Sequence, residues 1–201
     1  NQEYYMGIIP VSQGEWSAIM RDNPGWFTRK GRRKDFVANV LDSDLARFPV
    51  ENVDRADIEE FLNRLNQLQA MDGWHYRLPS CAEWEYACRG ALTSKSDCDF
   101  DFYFATPTNS VKKTDANTDR GRGRGPKAAG SYPSNMLGLF DMHGNIEEWC
   151  DEQFDEGTDL IARGGSWLDD EHNCRAGSVY WYAPDDGTYV LGFRLILSKA
   201  T

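Results

Sequence analysis

The sequence predicts an α+β protein with two to three helices, short antiparallel strands and long loop inserts. Three observations predict it. Capping signals open three runs of helical period. Short apolar runs with strand character stand near both ends of the chain. The stretches between them, 28 to 47 and 91 to 135, carry almost no periodic signal.

YYMGIIPV, from Tyr4 to Val11, reads as a short strand. SQGEWSAIM follows, where Ser12 and Glu15 form a capping box and Trp16, Ile19 and Met20 share one helical face. Asn23-Pro24-Gly25 stops that helix. Residues 28 to 47 are polar and charged and read as loop. VDRADIEEFLNRLNQLQ is a second helix. Asp54 caps it, Val53 and Ile58 are placed as a hydrophobic staple, and Ile58, Phe61, Leu62, Leu65 and Leu68 form one apolar stripe. SCAEWEYACRG is a third, with a Ser80/Glu83 capping box after Pro79 and Gly90 as a left-handed terminator. RGRGRG, from Arg120 to Gly125, is the one basic, Gly-rich run and reads as a solvated loop. After Gly130 the chain turns to short strands: GLFDMHGNIEEWC, ARGGSW and GFRLILS. In the last, Phe193, Leu195 and Leu197 alternate with Arg194, Ile196 and Ser198 as one strand would. No internal repeat or clean linker divides the chain, so residues 1–201 read as one domain.

Composition narrows the function classes. A hydrophobic content of 40% and an aromatic content of 13% supply a core, while a net charge of −10 argues against nucleic acid or an anionic membrane as partner. No apolar run is long enough to span a bilayer, so these residues do not insert into a membrane directly. The five cysteines match no zinc spacing; Cys81 and Cys88 lie two helical turns apart, too far to bridge, and most of the thiols read as small buried hydrophobes.

Residues 163 to 194, from RGGSW to LGFR, change character between orderly ends. Tyr180, Trp181, Tyr182 and Tyr189 offer rigid amphipathic area of the kind paratopes use, with Asp169, Asp170, Asp185 and Asp186 adding charge around them. Three successive aromatics cannot all point one way on a strand, so at least one packs inward, Trp181 or a neighbour. Gly164-Gly165 permits close backbone approach, and Trp167 belongs in the core. Asn173-Cys174-Arg175 holds the loop, and the strand Leu191 to Leu197 anchors its far side.

QGEWSAIMRDNP, FPVENVDRADIEEFLNRLN, YRLPSCAEWEYACRG, NMLGLFDMHGNIEEWC, RGGSW and LGFRLILS occur in one order. Together they resemble the formylglycine-generating-enzyme/sulfatase-modifying-factor family over about Tyr5 to Lys199. The resemblance implies a decorated C-type lectin fold. Oxidases of that family carry two copper-binding cysteines five residues apart after RGGS. Here Asp169 and Cys174 stand at those positions, a lone thiol with a hard carboxylate, which is a poor Cu(I) site. A copper oxidase acting on a cysteine of a protein substrate is therefore the alternative, and no catalytic residue is expected. Related sulfoxide synthases need a histidine-rich iron site, whereas His75, His143 and His172 are scattered. The EPN or QPD and WND motifs of calcium-dependent lectins are absent.

The flanks and spacing of RGGSW…NCR…P…GFR are also similar to the variable region of diversity-generating retroelement target proteins. There, a template rich in Asn codons is copied with errors at adenines into the end of the gene. Leu168, Asp169, Asp170, His172, Tyr180, Tyr182, Asp185, Asp186, Thr188, Tyr189 and Val190 are reachable from an Asn codon; Glu171 and Trp181 need another template codon. The resemblance implies a non-enzymatic, receptor-like protein whose variable side chains lie on one exposed face. Those positions, together with Gly177, Val179 and Trp181, are the expected ligand-binding residues. The expected partner is a protein or other macromolecule. Placement at the cell surface or outside the cell follows by analogy, with a lipid anchor carried by a leader outside these residues. No cofactor is required. The family's calcium segment corresponds to Asp141, the carbonyls of Gly144 and Ile146, and Glu148; the alternative is that Asp141 and Glu148 cap turns or pair with a nearby Arg or Lys. A second family calcium site is matched only at Asn117 and Thr118.

Overall fold

The computed structural model describes residues 3–119, 125–155 and 157–199. In chain order the elements are β1 (Tyr4–Met6), α1 (Gln13–Met20), α2 (Asp42–Leu45), α3 (Arg55–Leu68), β2 (Trp74–Arg77), α4 (Cys81–Cys88), β3 (Phe102–Tyr103), β4 (Pro107–Thr108), β5 (Glu147–Gln153), β6 (Leu160–Arg163), β7 (Val179–Tyr182), β8 (Leu191–Phe193) and β9 (Ile196–Lys199). The architecture is α+β, as expected. The two ends of the chain meet in an antiparallel sheet of order β1-β9-β2, a second sheet runs β7-β6-β5-β8, and β3-β4 forms a small hairpin.

The helix starts follow from local chemistry. Ser12 and Glu15 cap α1 reciprocally, and Ser80 and Glu83 do the same for α4. At α3 the Asp54 side chain takes the Asp57 amide while Asp57 takes the Asp54 amide, a box closed by an aspartate rather than the usual Glu or Gln. The α3 stripe buries Ile58 and Phe61 and packs Leu62 and Leu65, but Leu68 overshoots the core and is 66% exposed. α1 ends at Arg21 with φ 67, and Gly90 with φ 72 follows α4.

Three expectations change. The segment 28–47 contains the single turn α2, whose Leu45 joins a cluster with Phe27, Val37, Phe48 and Trp167. GFRLILS is not one strand. It breaks at Arg194-Leu195 into β8 and β9, which lie in different sheets, and Arg194 turns fully inward. The strands are also not all antiparallel, since β8 runs parallel to β5. Arg120 to Arg124 of the RGRGRG run lie outside the described residues.

The β7-β6-β5-β8 sheet has a core on each face. Trp149, Leu160, Ala162 and Phe193 pack with Trp16, Ile58 and Phe61 of α1 and α3 on one side. On the other, Cys150 and Ile161 pack with Trp84, Ala87 and Cys88 of α4. Hence β5 is buried on both faces from Glu147 to Cys150 and exposed beyond.

Candidate ligand-binding face

The segment between β6 and β8 is tied down at intervals. Gly164 and Gly165 both have positive φ, and a Cβ at Gly165 would stand 2.6 Å from Cys174 Sγ. The Asp169 carboxylate accepts from Ser166 N at 2.9 Å and from Ser166 Oγ at 2.6 Å. Trp167 is buried edge-on against Phe27, with ring centroids 5.6 Å apart. Cys174 is fully buried, and its carbonyl accepts from His143 Nδ1 at 2.8 Å. On the other side of that ring, Nε2 accepts from the Tyr103 amide at 2.9 Å, which assigns the proton to Nδ1. Burial lowers the His143 pKa to about 4, so the ring is neutral. His143 is thus an anchor of the segment that spacing did not reveal. Arg175 pairs with Asp101 at 3.2 Å and donates to His172 Nδ1 at 2.7 Å. The Asn173-Cys174-Arg175 island therefore holds the loop.

The strand β7 divides the expected binding residues between two faces. It pairs with β6 so that Tyr180 and Tyr182 stand opposite Ala162 and Leu160, on the Trp149 side of the sheet. Val179 and Trp181 point the other way. Of the three aromatics of which at least one was expected to pack inward, Trp181 is 52% exposed and stacks on Phe154 at 4.4 Å and 10°. Its two neighbours are the half-buried ones. The single exposed face expected by resemblance is accordingly corrected: strand alternation sends alternate residues to opposite sides.

The loop after β7 is similarly mixed. Asp185 and Asp186 are exposed; the Asp186 carboxylate accepts from Ala183 N at 3.2 Å. Carbonyls of Pro184 and Thr188 accept from Arg55 N and Asn52 N, at 3.0 and 2.8 Å. Tyr189 is half-buried and stacks on Trp26 at 4.7 Å. Val190 is only 8% exposed and packs with Phe27, Val37 and Phe48, so it belongs to the core rather than to the binding set. Leu168, Asp170, His172 and Gly177 are exposed, and Asp169 and Thr188 are half-buried.

Beneath the tyrosines lies a residue not anticipated from sequence. Glu147 is 2% exposed, and its Oε2 accepts from the Tyr182 hydroxyl at 2.7 Å. Burial, reinforced by the Asp169 carboxyl beside it, raises Glu147 to about 8. Burial and these two carboxyls also push the Tyr180 and Tyr182 hydroxyls up, and the Cys174 thiol well up. The site therefore offers aromatic surface, neutral hydroxyls and, at Glu147, a carboxyl that keeps its proton at neutral pH. It has no thiolate at Cys174, and its Asp169 carboxylate is engaged by Ser166. These residues do not fit a soft-metal oxidation centre.

The calcium set does not fit either. Glu148 Oε1 and Oε2 both accept from Arg194, at 2.8 and 2.9 Å, and Oε2 also accepts from Trp84 Nε1 at 2.7 Å. Asp141 accepts from Gly130 N at 2.8 Å, and the Gly144 carbonyl accepts from Ile146 N at 3.0 Å. The pairing alternative is what the structure contains. At the second position, Asn117 bonds Gly125 and Asn145 at 3.2 and 3.0 Å. Among the described residues no group of three or more His, Cys, Asp or Glu is placed to hold a metal ion.

A lectin-type α+β scaffold with a long, anchored segment between its last strands defines the class: C-type lectin folds of the formylglycine-generating-enzyme type. The Sulfatase-modifying factor enzyme 1-like domain matches residues 1–199, and the chain belongs to that family. It is 28% identical over 196 residues to the Chaperone protein LppX of Paenibacillus barcinonensis, covering 83% of this chain and 70% of that protein. It is 31% identical over 141 residues to the Inactive C-alpha-formylglycine-generating enzyme 2 of Bos taurus, covering 64% of this chain and 46% of that protein. Among solved structures, Treponema denticola variable protein 1 superposes with a TM-score of 0.80 at 22% identity, over 98% of this chain and 84% of that one. The Major Tropism Determinant P3c variant gives 0.54 at 12% identity, over 97% of this chain and 50% of that one.

Proposed function

We propose that this is a non-enzymatic, ligand-binding protein of receptor or adhesin type, and that residues 163–194 are diversified by a retroelement to display variable side chains. The observation that carries the reading is the fastening of that segment. Gly164-Gly165, Cys174 and Val190 are packed into the protein, while Leu168, Asp170, His172, Asp185 and Asp186 between them reach solvent. Variation at those positions leaves the scaffold contacts intact. The fold shared with variable proteins supports the reading. So do the buried thiol at Cys174 and the carboxylate where an oxidase of this family needs a second cysteine. The partner is a protein or other macromolecule, and placement is at the cell surface or outside the cell. No helix among the described residues is long and apolar enough to cross a membrane.

The test is genetic. The locus should hold a near-copy of the codons for 163–194 with AAC or AAT where the two differ, next to a reverse transcriptase gene. Differences spread evenly over all four template bases would sink the proposal. Oxidation of a CxPxR peptide by the copper-loaded chain, with robust turnover, would establish the oxidase instead.

A further inference from the structure

Cys81 opens α4 and Cys150 lies in β5, and the Cys81 thiol is near enough to help hold the proton on Cys150. Both sit in the cluster of Trp84, Cys88 and Met142, Cys150 fully buried and Cys81 half-buried. The backbone builds the approach in. The Asp151 amide, one residue past Cys150, donates to the carbonyl of Pro79, two residues before Cys81, at 2.8 Å. Among the described residues the other thiols are turned elsewhere. Cys88 Sγ faces Met142 O and His143 Nε2 at 3.8 and 3.6 Å, Cys98 Sγ faces Leu92 O at 3.4 Å, and Cys174 Sγ faces Ser166 O at 3.8 Å.

We propose that Cys81 and Cys150 close a disulfide between α4 and β5 when the chain meets a disulfide-bearing oxidant. Cys81 is the half-buried thiol, so it meets the oxidant first. Its sulfur attacks one sulfur of the oxidant's disulfide and expels the other as a thiolate. The Cys150 sulfur then attacks the Cys81 sulfur of that mixed disulfide and releases the second half of the oxidant. Two protein thiols lose two protons and two electrons, and one oxidant disulfide becomes two thiols. Burial holds the Cys150 thiol well above its ordinary pKa, which fits it to the second step rather than the first. The sulfurs must close to about 2.05 Å, within the cluster that both side chains already share.

The covalent ring so formed runs from residue 81 to residue 150 and takes in the insert 91–135. Its far anchor, β5, also carries Glu147 beneath Tyr182. The bond is independent of the ligand-binding proposal: either can fail while the other stands. Such a bond persists outside the cell and is reduced in a cytosol.

The full chain, reduced and desalted, is equilibrated with glutathione disulfide, alkylated and digested without reductant. Two of the five thiols should disappear, and a peptide joining Cys81 to Cys150 should appear. The unfolding midpoint should rise by about 5–10 °C. Cys81→Ala and Cys150→Ala should each abolish both the linked peptide and the rise. Five thiols surviving an excess of glutathione disulfide would overturn the proposal. So would a link through Cys88, Cys98 or Cys174, a link between two chains, or a Cys81–Cys150 link that leaves the midpoint unmoved or lowered. If Cys150→Ala does not fold, the peptide map of the unaltered chain and the half-buried Cys81→Ala variant still decide.

Discussion

Glu148 and Arg194 form an ion pair in which both side chains are 0% exposed, with Arg194 Nη2 2.8 Å from Glu148 Oε1. The guanidinium also donates to the carbonyls of Gly7 and Phe140, at 2.8 and 2.7 Å. It therefore links β5, the chain between the two sheets, and the segments after β1 and before β5. Arg194→Met leaves a buried carboxylate with one remaining donor among the described residues, Trp84 Nε1, and should lower stability by about 3–5 kcal/mol. Urea unfolding measures it. The pair Glu148→Leu with Arg194→Met should cost clearly less than the sum of the single changes. Calcium in millimolar excess should not shift the midpoint; a saturable rise would show that a cation displaces Arg194.

Glu147 makes stability depend on pH with a definite sign. Its carboxyl is raised from 4.5 to about 8, so the folded chain binds a proton that the unfolded chain has released. This contribution is fully present below pH 4.5 and is lost as pH rises through about 8. Glu147→Gln removes it while keeping an acceptor for Tyr182. Between those limits the variant should show a shallower fall of the urea-derived unfolding free energy with pH, by up to about 1.4 kcal/mol per pH unit. Parallel curves for the two proteins would refute the assignment.

His143 carries the opposite sign. Its pKa is lowered from 6.5 to about 4, so its contribution is present above 6.5 and is lost as pH falls through 4. Nitrogen NMR should show a neutral ring with the proton on Nδ1 at pH 6. Titration near the ordinary histidine value, or a proton on Nε2, would contradict the bonds to Tyr103 and Cys174.

Two glycines of similar φ separate crowding from backbone strain. Gly165 has φ +68 and a Cβ there would meet Cys174 Sγ at 2.6 Å, whereas Gly73 has φ +72 and, among the described residues, nothing within 4 Å. Gly73→Ala should cost about 1 kcal/mol, the left-handed penalty alone. Gly165→Ala should cost at least about 2 kcal/mol more, since Cys174 is held by His143 and cannot give way. Equal losses in thermal unfolding would show that the close approach is not tight.

What the sequence made legible was local. Ser12/Glu15 and Ser80/Glu83 announce helix starts because the partners lie three residues apart. Trp167 and the Gly164-Gly165 approach were equally readable from type and position. The rest depends on partners far along the chain. VYWY carries no polar–apolar alternation, and only its pairing with LIAR decides that Tyr180 and Tyr182 face Trp149 while Trp181 faces Phe154. GFRLILS alternates correctly, but alternation does not say which sheet each half joins. Glu147 and Glu148 are adjacent and alike in sequence, yet one lies under Tyr182 and the other against Arg194. Val190 is reachable from the expected codon, but codons carry no information about burial.

The burial of Val190 bears on how a population of such chains would look. Its side chain fills space among Phe27, Val37 and Phe48. Random replacement there would delete clones before any encounter with a ligand, since a charged or glycine substitution empties or wets that core. Leu168, at 49% exposure, imposes no such filter. Sequenced siblings should therefore be nearly uniform at 190 and diverse at 168, 170, 185 and 186, with 180, 182 and 189 biased toward rings. Under the proposed diversification, viable variety would be set by how many positions the scaffold leaves idle, not by how many the copying process rewrites.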